Sequence, residues 1–282
     1  MISYGAVTVV NAIPCGIGAA VGVNLRTQAD FRVHGSEKNV TILNDPNEST
    51  EMARICVRNT FRHFRTEEPE GWSLSVDSEI PISRGLKSSS SACNSVISTV
   101  AEWICKEYGI PGFSDDTEGT LDMIRLGVRS ATDAGVTVTG AFDDACACHL
   151  GGLVITDNKD NILMHHAPAD GNDVILLIPD KKIRKSSLDR QAFAALSENM
   201  KELAVLARTD WYSALTKNGK LVAKAVGACD DIAGRAMAMG ASAAGMSGTG
   251  PAISVIVNKG DGMSFLRDLG HEGYDAMVTR TR

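Results

Sequence analysis

A polar segment in the first third of the chain brings a glycine, a lysine and four consecutive serines to the start of a predicted helix. It reads Pro81, Ile82, Ser83, Arg84, Gly85, Leu86, Lys87, Ser88, Ser89, Ser90 and Ser91. Free amides and the positive end of the dipole at a helix start favour an anion, and glycine permits close approach of the backbone. Serine hydroxyls can donate to phosphate or bind a metal ion. The segment therefore predicts a phosphate site, with a serine linker that merely caps the helix as the alternative.

Two other glycine-rich segments bear on the kind of phosphate site. The stretch from Gly16 to Gly22 misses the dinucleotide-binding spacing by one residue, and the P-loop pattern G-x-x-x-x-G-K-[ST] does not occur. The segment Gly245–Gly250 precedes an apolar strand, where small residues let the backbone press against a ligand or another strand. Taken alone, it is equally typical of a tight connection.

The periodicity of apolar residues predicts the elements that must position these segments. Predicted strands cover Ala6–Asn11, Val21–Val33, Asn39–Leu43, Trp72–Ser78, Gly152–Thr156, Asn161–His165, Asp173–Ile178, Ala252–Val257 and Asp275–Thr279. Predicted helices cover Glu48–Phe64, a segment after Ser91 that reaches Ile104, Asp116–Ser130, Leu188–Ala207, Tyr212–Met239 and Gly262–Leu269. Because strands and helices mix without a regular βαβ repeat, the order favours an α+β architecture over a doubly wound parallel sheet.

Length and composition predict two lobes. A chain of 282 residues, 44% of them hydrophobic, can bury a large core. We place the boundary near Ala167, which gives an N-terminal lobe over residues 1–167 and a C-terminal lobe over residues 168–282. Since no flexible linker separates them, we expect the lobes to share a substantial interface.

Charge, hydropathy and cysteine usage limit the partners and the compartment. A net charge of −6 without a long basic stripe argues against nucleic-acid binding. No apolar run reaches the roughly 20 residues of a membrane span, and no basic segment leads into an apolar signal core. Seven scattered cysteines predict reduced, buried thiols. We therefore expect a cytoplasmic protein without a membrane partner, and the sequence does not define its oligomeric state.

Three segments resemble, in order, the superfamily of galactokinase, homoserine kinase, mevalonate kinase and phosphomevalonate kinase, the GHMP kinases. Pro81–Ala92 resembles the nucleotide loop, Thr139–Gly152 the segment of the catalytic aspartate, and Ser242–Pro251 the carboxy-proximal glycine loop. The ordered occurrence of all three is more specific than any one of them. The resemblance implies a nucleotide-binding N-terminal lobe.

Within that superfamily the chain is most similar to the archaeal shikimate kinases. The similarity is carried by Thr8–Ala12, Gly85–Ser90 and Thr137–Ala145, and it runs nearly end to end. It implies a two-lobed fold with a mixed sheet and helices in the N-terminal lobe and a ferredoxin-like C-terminal lobe with added helices. It also implies that ATP and Mg²⁺ serve to phosphorylate a ring hydroxyl of shikimate, a small hydroxylated acid, to shikimate 3-phosphate.

The resemblance assigns roles to individual residues. Counting back from Gly151-Gly152 places the catalytic carboxylate at Asp144 rather than Asp143. This carboxylate would orient the acceptor hydroxyl and take its proton. The alternative is that the aspartate pair caps the next helix or turn.

The metal and nucleotide ligands follow from the same resemblance. Asp133 lies where relatives carry a metal-binding glutamate, and Ser89 is the serine we favour as the second ligand. A surface aspartate at a helix end is the alternative reading of Asp133. Gly248 and Gly250 join the segment from Pro81 to Ser91 as ATP-binding residues.

The chain also departs from the superfamily pattern. Many relatives have glycine where Lys87 stands and one serine fewer before Ala92, and they carry a lysine in the amino-terminal strand that has no counterpart here. The first two differences suit the archaeal shikimate branch. The third leaves the amino-terminal part of the ATP site unassigned.

The densest basic cluster could hold the carboxylate of an anionic acceptor, with a solvated charged face as the alternative. It consists of Lys181, Lys182, Arg184 and Lys185. Because likeness of fold alone does not settle the acceptor, homoserine or mevalonate kinase activity is an alternative function. A non-catalytic nucleotide-binding regulator is an alternative of another class.

Overall fold

The computed structural model describes residues 1–111, 117–137, 140–169, 171–180 and 189–282. Its first sheet is built from β1 (Ile2–Val10), β2 (Ile17–Val33), β3 (Lys38–Ile42), β4 (Trp72–Ser78), β5 (Leu153–Asp157) and β6 (Ile162–Ala167). The order is β3-β4-β2-β5-β6, with β1 also paired to the long strand β2. All pairs are antiparallel except β3 with β4, so this sheet is mixed.

Four helices cover the first sheet: α1 (Glu51–Phe64), α2 (Ser88–Tyr108), α3 (Thr117–Asp133) and α4 (Phe142–Leu150). Helices α1 and α2 bury one face against β2 and β4, in a cluster that includes Phe31, Phe61 and Trp72. Helix α4 lies on β1 and β2 and buries Phe142. Gly22 permits this approach, since a Cβ there would lie 2.8 Å from Gly151 Cα.

The second sheet has the order and the connections of a ferredoxin-like fold. Its strands β7 (Asp173–Pro179), β8 (Ala243–Met246), β9 (Ile253–Val257) and β10 (Tyr274–Arg280) lie in the order β10-β7-β9-β8, all antiparallel. Between β7 and β8 lie α5 (Arg190–Ala194), α6 (Ser197–Leu206), α7 (Trp211–Ala225) and α8 (Asp231–Ala238), and α9 (Gly262–Leu269) joins β9 to β10. The split βαβ arrangement with extra helices confirms the predicted α+β fold.

The two sheets share one apolar core. Alternate residues of β7 point to opposite faces, and Val174 and Leu176 pack with Val7 and Val21 of the first sheet. Ile175, on the other face, packs within the second lobe. The chain leaves the first sheet after β6 and enters the second at β7, and we keep the division at residue 167 as a proposal.

Several predicted elements were wrong in extent. Helix α4 was not among the predicted helices, and the predicted helix Leu188–Ala207 is α5 and α6, with Leu188 outside the described residues. The predicted helix Tyr212–Met239 is α7 and α8. Gly227 ends α7 with φ +63°, and the N–H groups of Gly227 and Ala228 cap the carbonyls of Lys224 and Ala223.

The glycine-rich stretch before Val21 belongs to β2 rather than to a loop. Gly18 packs directly against the Asp143 carboxyl, where any side chain would collide. All seven cysteines are free thiols. Of the described helices, none is long and apolar enough to cross a bilayer.

Candidate active site

The serine segment forms a tight loop that ends at the start of α2. Ser83, Gly85 and Lys87 all have positive φ angles. Helix α2 begins at Ser88, and the Ser91 N–H donates to the Lys87 carbonyl at 3.0 Å. The amides of residues 88–90 therefore lie in the first turn, where they have no acceptor within the helix. This is the anion-binding geometry that the sequence predicted.

Lys87 joins the serine loop to the aspartate segment. Its Nζ lies 3.0 Å from Asp144 Oδ1, and the two side chains are only 8% and 17% exposed. This Asp144 oxygen is buried, and its contact with the ammonium group is an ion pair. Because an ionised carboxylate has several acceptor positions, Asp144 can accept further hydrogen bonds where its side chain is exposed.

The two adjacent aspartates have different surroundings. Asp143 is 4% exposed, and its Oδ1 accepts a 2.8 Å hydrogen bond from Asn158 Nδ2. Burial, and secondly the charge of Asp144, raise the pKa of Asp143 to about 7, while Lys87 and the Asn158 hydrogen bond oppose this shift. Asp144, by contrast, meets the lysine at the mouth of the serine loop.

The hydroxyl of Thr8 on β1 completes the contacts of the lysine. Lys87 Nζ donates to Thr8 Oγ1 at 2.6 Å, and the Gly248 N–H donates to the same oxygen at 2.9 Å. Asn11, directly after β1, donates its side-chain amide to the Gly248 carbonyl. The amino-terminal strand therefore supports the lysine although it carries no lysine of its own.

The carboxy-proximal glycine loop holds the serine loop in place. Ser247 Oγ donates to the Gly85 carbonyl at 2.8 Å, and a Cβ on Gly85 would lie 2.5 Å from the Ser247 carbonyl oxygen. The N–H groups of Gly248 and Gly250 donate to Thr8 and to the Ser247 carbonyl. Since both amides are engaged within the protein, these two glycines shape the site in this structure rather than present free donors.

The residues of the predicted nucleotide loop, Pro81 to Ser91, differ in burial. The Leu86 side chain packs in the apolar core, and Ser91 is fully buried with no partner for its hydroxyl among the described residues. The Arg84 guanidinium donates to the carbonyls of Pro179 and Asp180 and ties the loop to β7. The partly exposed members, Pro81, Ile82, Ser88, Ser89 and Ser90 among them, are accessible to a ligand, and their contact with a nucleotide stays a prediction.

A cavity of about 130 Å³ opens beside the start of α2. Ser88 and Ser89 line one side, and Ile82, Met52 and Val76 supply apolar wall. An apolar slot next to free helix amides suits a base with phosphates attached. The cavity also includes Ala134, directly after the end of α3.

Asp133 ends α3 and is exposed. Its Oδ2 accepts a 2.9 Å hydrogen bond from Asn59 Nδ2 on α1. Carboxylate and hydroxyl oxygens suit Mg²⁺, which takes few protein ligands and completes its shell with phosphates and water. In the described part of the chain no group of three or more His, Cys, Asp or Glu could hold a metal ion. Ser89 and Asp133 alone therefore do not make a metal site, and a metal ion here would need phosphate and water ligands as well.

Part of the predicted site lies outside the described residues. This applies to the basic cluster of Lys181, Lys182, Arg184 and Lys185, and to Val138 and Thr139 before the aspartates. Sequence reasoning in turn missed Thr8, Asn158 and Ser247. The first could have been found, because Thr8 is a polar residue within the apolar run Ala6–Val10.

Comparison with known proteins gives a consistent picture. The N-terminal domain family of the GHMP kinases matches residues 51–152. A shikimate kinase of Methanothrix thermoacetophila is 37% identical over 91% of this chain and 84% of its own length. A shikimate kinase of Pyrococcus furiosus is 32% identical over 98% of this chain and 97% of its own length.

Solved structures show the same fold at low identity. The mevalonate kinase of Methanococcus jannaschii has a TM-score of 0.75 at 15% identity and covers 100% of this chain and 98% of that chain. The galactokinase of Lactococcus lactis has a TM-score of 0.72 at 15% identity and covers 99% of this chain and 92% of that chain. At such identities the likeness concerns the fold alone.

Proposed function

We propose that this chain, which belongs to the archaeal shikimate kinases of the GHMP superfamily, phosphorylates shikimate with Asp144 and Lys87 at the reacting centre. The enzymes of this family are ATP-dependent phosphotransferases. The observation that carries the proposal is the 3.0 Å ion pair between Lys87 Nζ and Asp144 Oδ1. It joins the phosphate-binding start of α2 to the carboxylate of α4 in one cleft. The alternative of a non-catalytic regulator is not favoured, since the relatives are enzymes.

Asp144 acts on the acceptor hydroxyl. Oδ1 is buried beside Lys87, but the Asp144 side chain is 17% exposed and a carboxylate accepts several hydrogen bonds, so an acceptor O–H can donate to its accessible part. As the acceptor oxygen forms its bond to the γ-phosphorus, the hydroxyl proton passes to Asp144. The bond from the γ-phosphorus to its bridging oxygen breaks, and ADP leaves with that electron pair.

Lys87 and the α2 amides act on the transferring group. The N–H groups of residues 88–90 donate to phosphate oxygens, and the helix dipole adds positive potential at the same place. The Lys87 ammonium faces both the loop and Asp144, where it attracts the phosphoryl group and balances the carboxylate. Thr8 keeps the ammonium in this position.

Mg²⁺ belongs to the proposal as well. Ser89 and Asp133 would hold it, and the bound ion would supply neutralisation of the β- and γ-phosphate charge. For the acceptor, we propose that the basic cluster from Lys181 to Lys185 contacts the shikimate carboxylate. We also propose that the reaction takes place in the cytoplasm.

A panel of acceptors in a coupled ADP-release assay tests the substrate. We expect turnover with shikimate and little with homoserine or mevalonate. Phosphorylation of homoserine or mevalonate in preference to shikimate would contradict the proposed acceptor while leaving the kinase chemistry intact.

The role of Asp144 is tested separately. We expect Asp144→Asn to bind ATP normally and to lose about 10²–10⁴-fold in kcat, the range for removal of a general base. Asp268→Asn changes an exposed aspartate on α9 in the same way and should keep full activity. Near-normal turnover of Asp144→Asn would exclude this carboxylate from the chemistry.

A further inference from the structure

A second carboxyl group lies behind the reacting centre, and the mechanism above does not use it. Asp143 occupies the first turn of α4, directly before Asp144, and is 4% exposed. A buried carboxyl group is costly unless it is hydrogen-bonded or paired. Its environment therefore shows what the fold requires of it.

Asn158, in the turn between β5 and β6, holds Asp143 through both its carboxyl group and its backbone N–H. Its Nδ2 donates to Asp143 Oδ1 at 2.8 Å, and its Oδ1 accepts from the Asp143 N–H at 3.1 Å and from Thr156 Oγ1 at 2.6 Å. These bonds fix both the carboxamide orientation and the start of α4. Asp144, the next residue, is positioned by the same anchor.

The opposite side of Asp143 is closed by backbone. Gly18 of β2 packs against the carboxyl group so tightly that even a methyl group at that glycine would collide with it. Gly18 and Asn158 therefore hold the Asp143 carboxyl group from two sides.

The charges that face this carboxyl group are unequal in number. Asp144 and Lys87 are the charged groups that act on it, and Arg125 of α3 and Lys159 of the β5–β6 turn are basic residues of the neighbouring elements. Arg125 is matched by Glu118 and Asp122, and Lys159 is exposed. The ammonium group of Lys87 thus balances only one of the two carboxyl groups. Together, Lys87, Asp143 and Asp144 have no net charge when Asp143 is protonated and one negative charge when it is ionised.

We propose that Asp143 is a positioning residue for the phosphoryl transfer. Anchored through Asn158, it fixes the start of α4 and so the position of Asp144. The negative charge of the Asp143 carboxyl group also favours transfer of the acceptor proton to Asp144. The proposal rests on the proposed function of the same site. An ionised neighbour favours proton uptake by a carboxylate, because like charges repel. The raised pKa of Asp143, about 7, places the change in charge near neutral pH.

The test compares the wild type with Asp143→Asn over pH 5.5 to 9. We expect kcat of the wild type to rise through an ionisation near neutral pH that is missing in Asp143→Asn. At pH 8 the variant should be slower by about tenfold in kcat, with KM for ATP nearly unchanged. Asp160→Asn, an exposed aspartate in the β5–β6 turn, is the matched control and should keep the wild-type profile.

Asn158→Ala separates anchoring from charge. It leaves Asp143 in place but removes the hydrogen bond that lowers the Asp143 pKa, so kcat should fall and the ionisation should move to higher pH. A merely structural role would lower stability in both variants without moving the ionisation. An unchanged pH profile in Asp143→Asn would overturn the proposal.

Two readouts do not depend on turnover. Carbon-13 NMR of aspartate carboxyl groups should show one titration near neutral pH that disappears in Asp143→Asn. The folded-state pKa is raised, so the wild type should lose stability relative to Asp143→Asn as pH rises through about 7. If both readouts show the ionisation but shikimate is not a substrate, the proposed function is wrong and the ionisation of Asp143 is still confirmed. If neither readout shows the ionisation, the proposed role of Asp143 is wrong.

Discussion

At the residue scale, the site depends on Lys87, which lies in one of the segments that carry the resemblance to the archaeal shikimate kinases. Lys87 contacts the amino-terminal strand through Thr8 and faces Asp144. These two contacts hold the ammonium group in the cleft.

Replacement of Lys87 tests this assignment. We expect Lys87→Met to lower kcat by about 10²–10³-fold, the usual cost of removing a charge-stabilising group. Lys87→Arg should recover part of the loss in kcat, because the planar guanidinium group restores the positive charge but not the geometry of the ammonium group. Steady-state kinetics measure both, and Lys106→Met, at an exposed position near the end of α2, is the control.

The double variant Lys87→Met/Asp144→Asn adds a second criterion. If both side chains act on one transition state, the double variant should be little slower than Asp144→Asn alone. Rate losses that multiply fully would contradict a shared role.

At the element scale, the serine loop is held by its contact with the glycine loop between β8 and β9. Gly85 makes this contact possible, since its φ is +84° and its Cα faces the Ser247 carbonyl. Two loops far apart in sequence therefore set the position of the α2 start. This explains why neither loop alone identified the site.

Gly85→Ala and Gly35→Ala separate steric conflict from backbone strain. Gly35 also has positive φ, but nothing lies within 4 Å of a Cβ placed there. Gly35→Ala should cost about 1–2 kcal/mol of unfolding free energy, the cost of the left-handed conformation. Gly85→Ala should cost more and should raise KM for ATP. Denaturant unfolding and ATP-dependent kinetics measure the two effects, and equal losses would show that the contact with Ser247 is unimportant.

Elements with a clear period were predictable, and those set by tertiary contacts were not. Most strands and the helix after the serines follow from apolar spacing, but β8 was not predicted, because its four residues are all buried and show no alternation. Helix α4 was missed because Phe142, Cys146 and Cys148 are all buried between the sheet and neighbouring helices, which removes its amphipathic period. Asp144 was found through resemblance, whereas its pairing with Lys87 depends on the packing of α4 against β1 and β2.

At the scale of the whole molecule, one apolar core spans both sheets. Strand β7 contributes Leu176 to the core shared with β1 and β2, and Leu177 to the separate core of the second lobe. The end of the chain adds backbone contacts, since the Arg282 N–H donates to the Gly22 carbonyl of β2. The active site lies across this junction, so its geometry requires the two lobes to stay joined.

This shared core predicts that the two lobes unfold together. Leu176 and Leu177 are both 0% exposed, and each leucine-to-alanine change should cost about 2–5 kcal/mol. Because the lobes share a core, calorimetry of the wild type and of both variants should show one transition, shifted to lower temperature in the variants. Two separate transitions in Leu176→Ala, with only one of them shifted, would mean that each lobe is stable on its own and that the cleft is held together by its polar contacts alone.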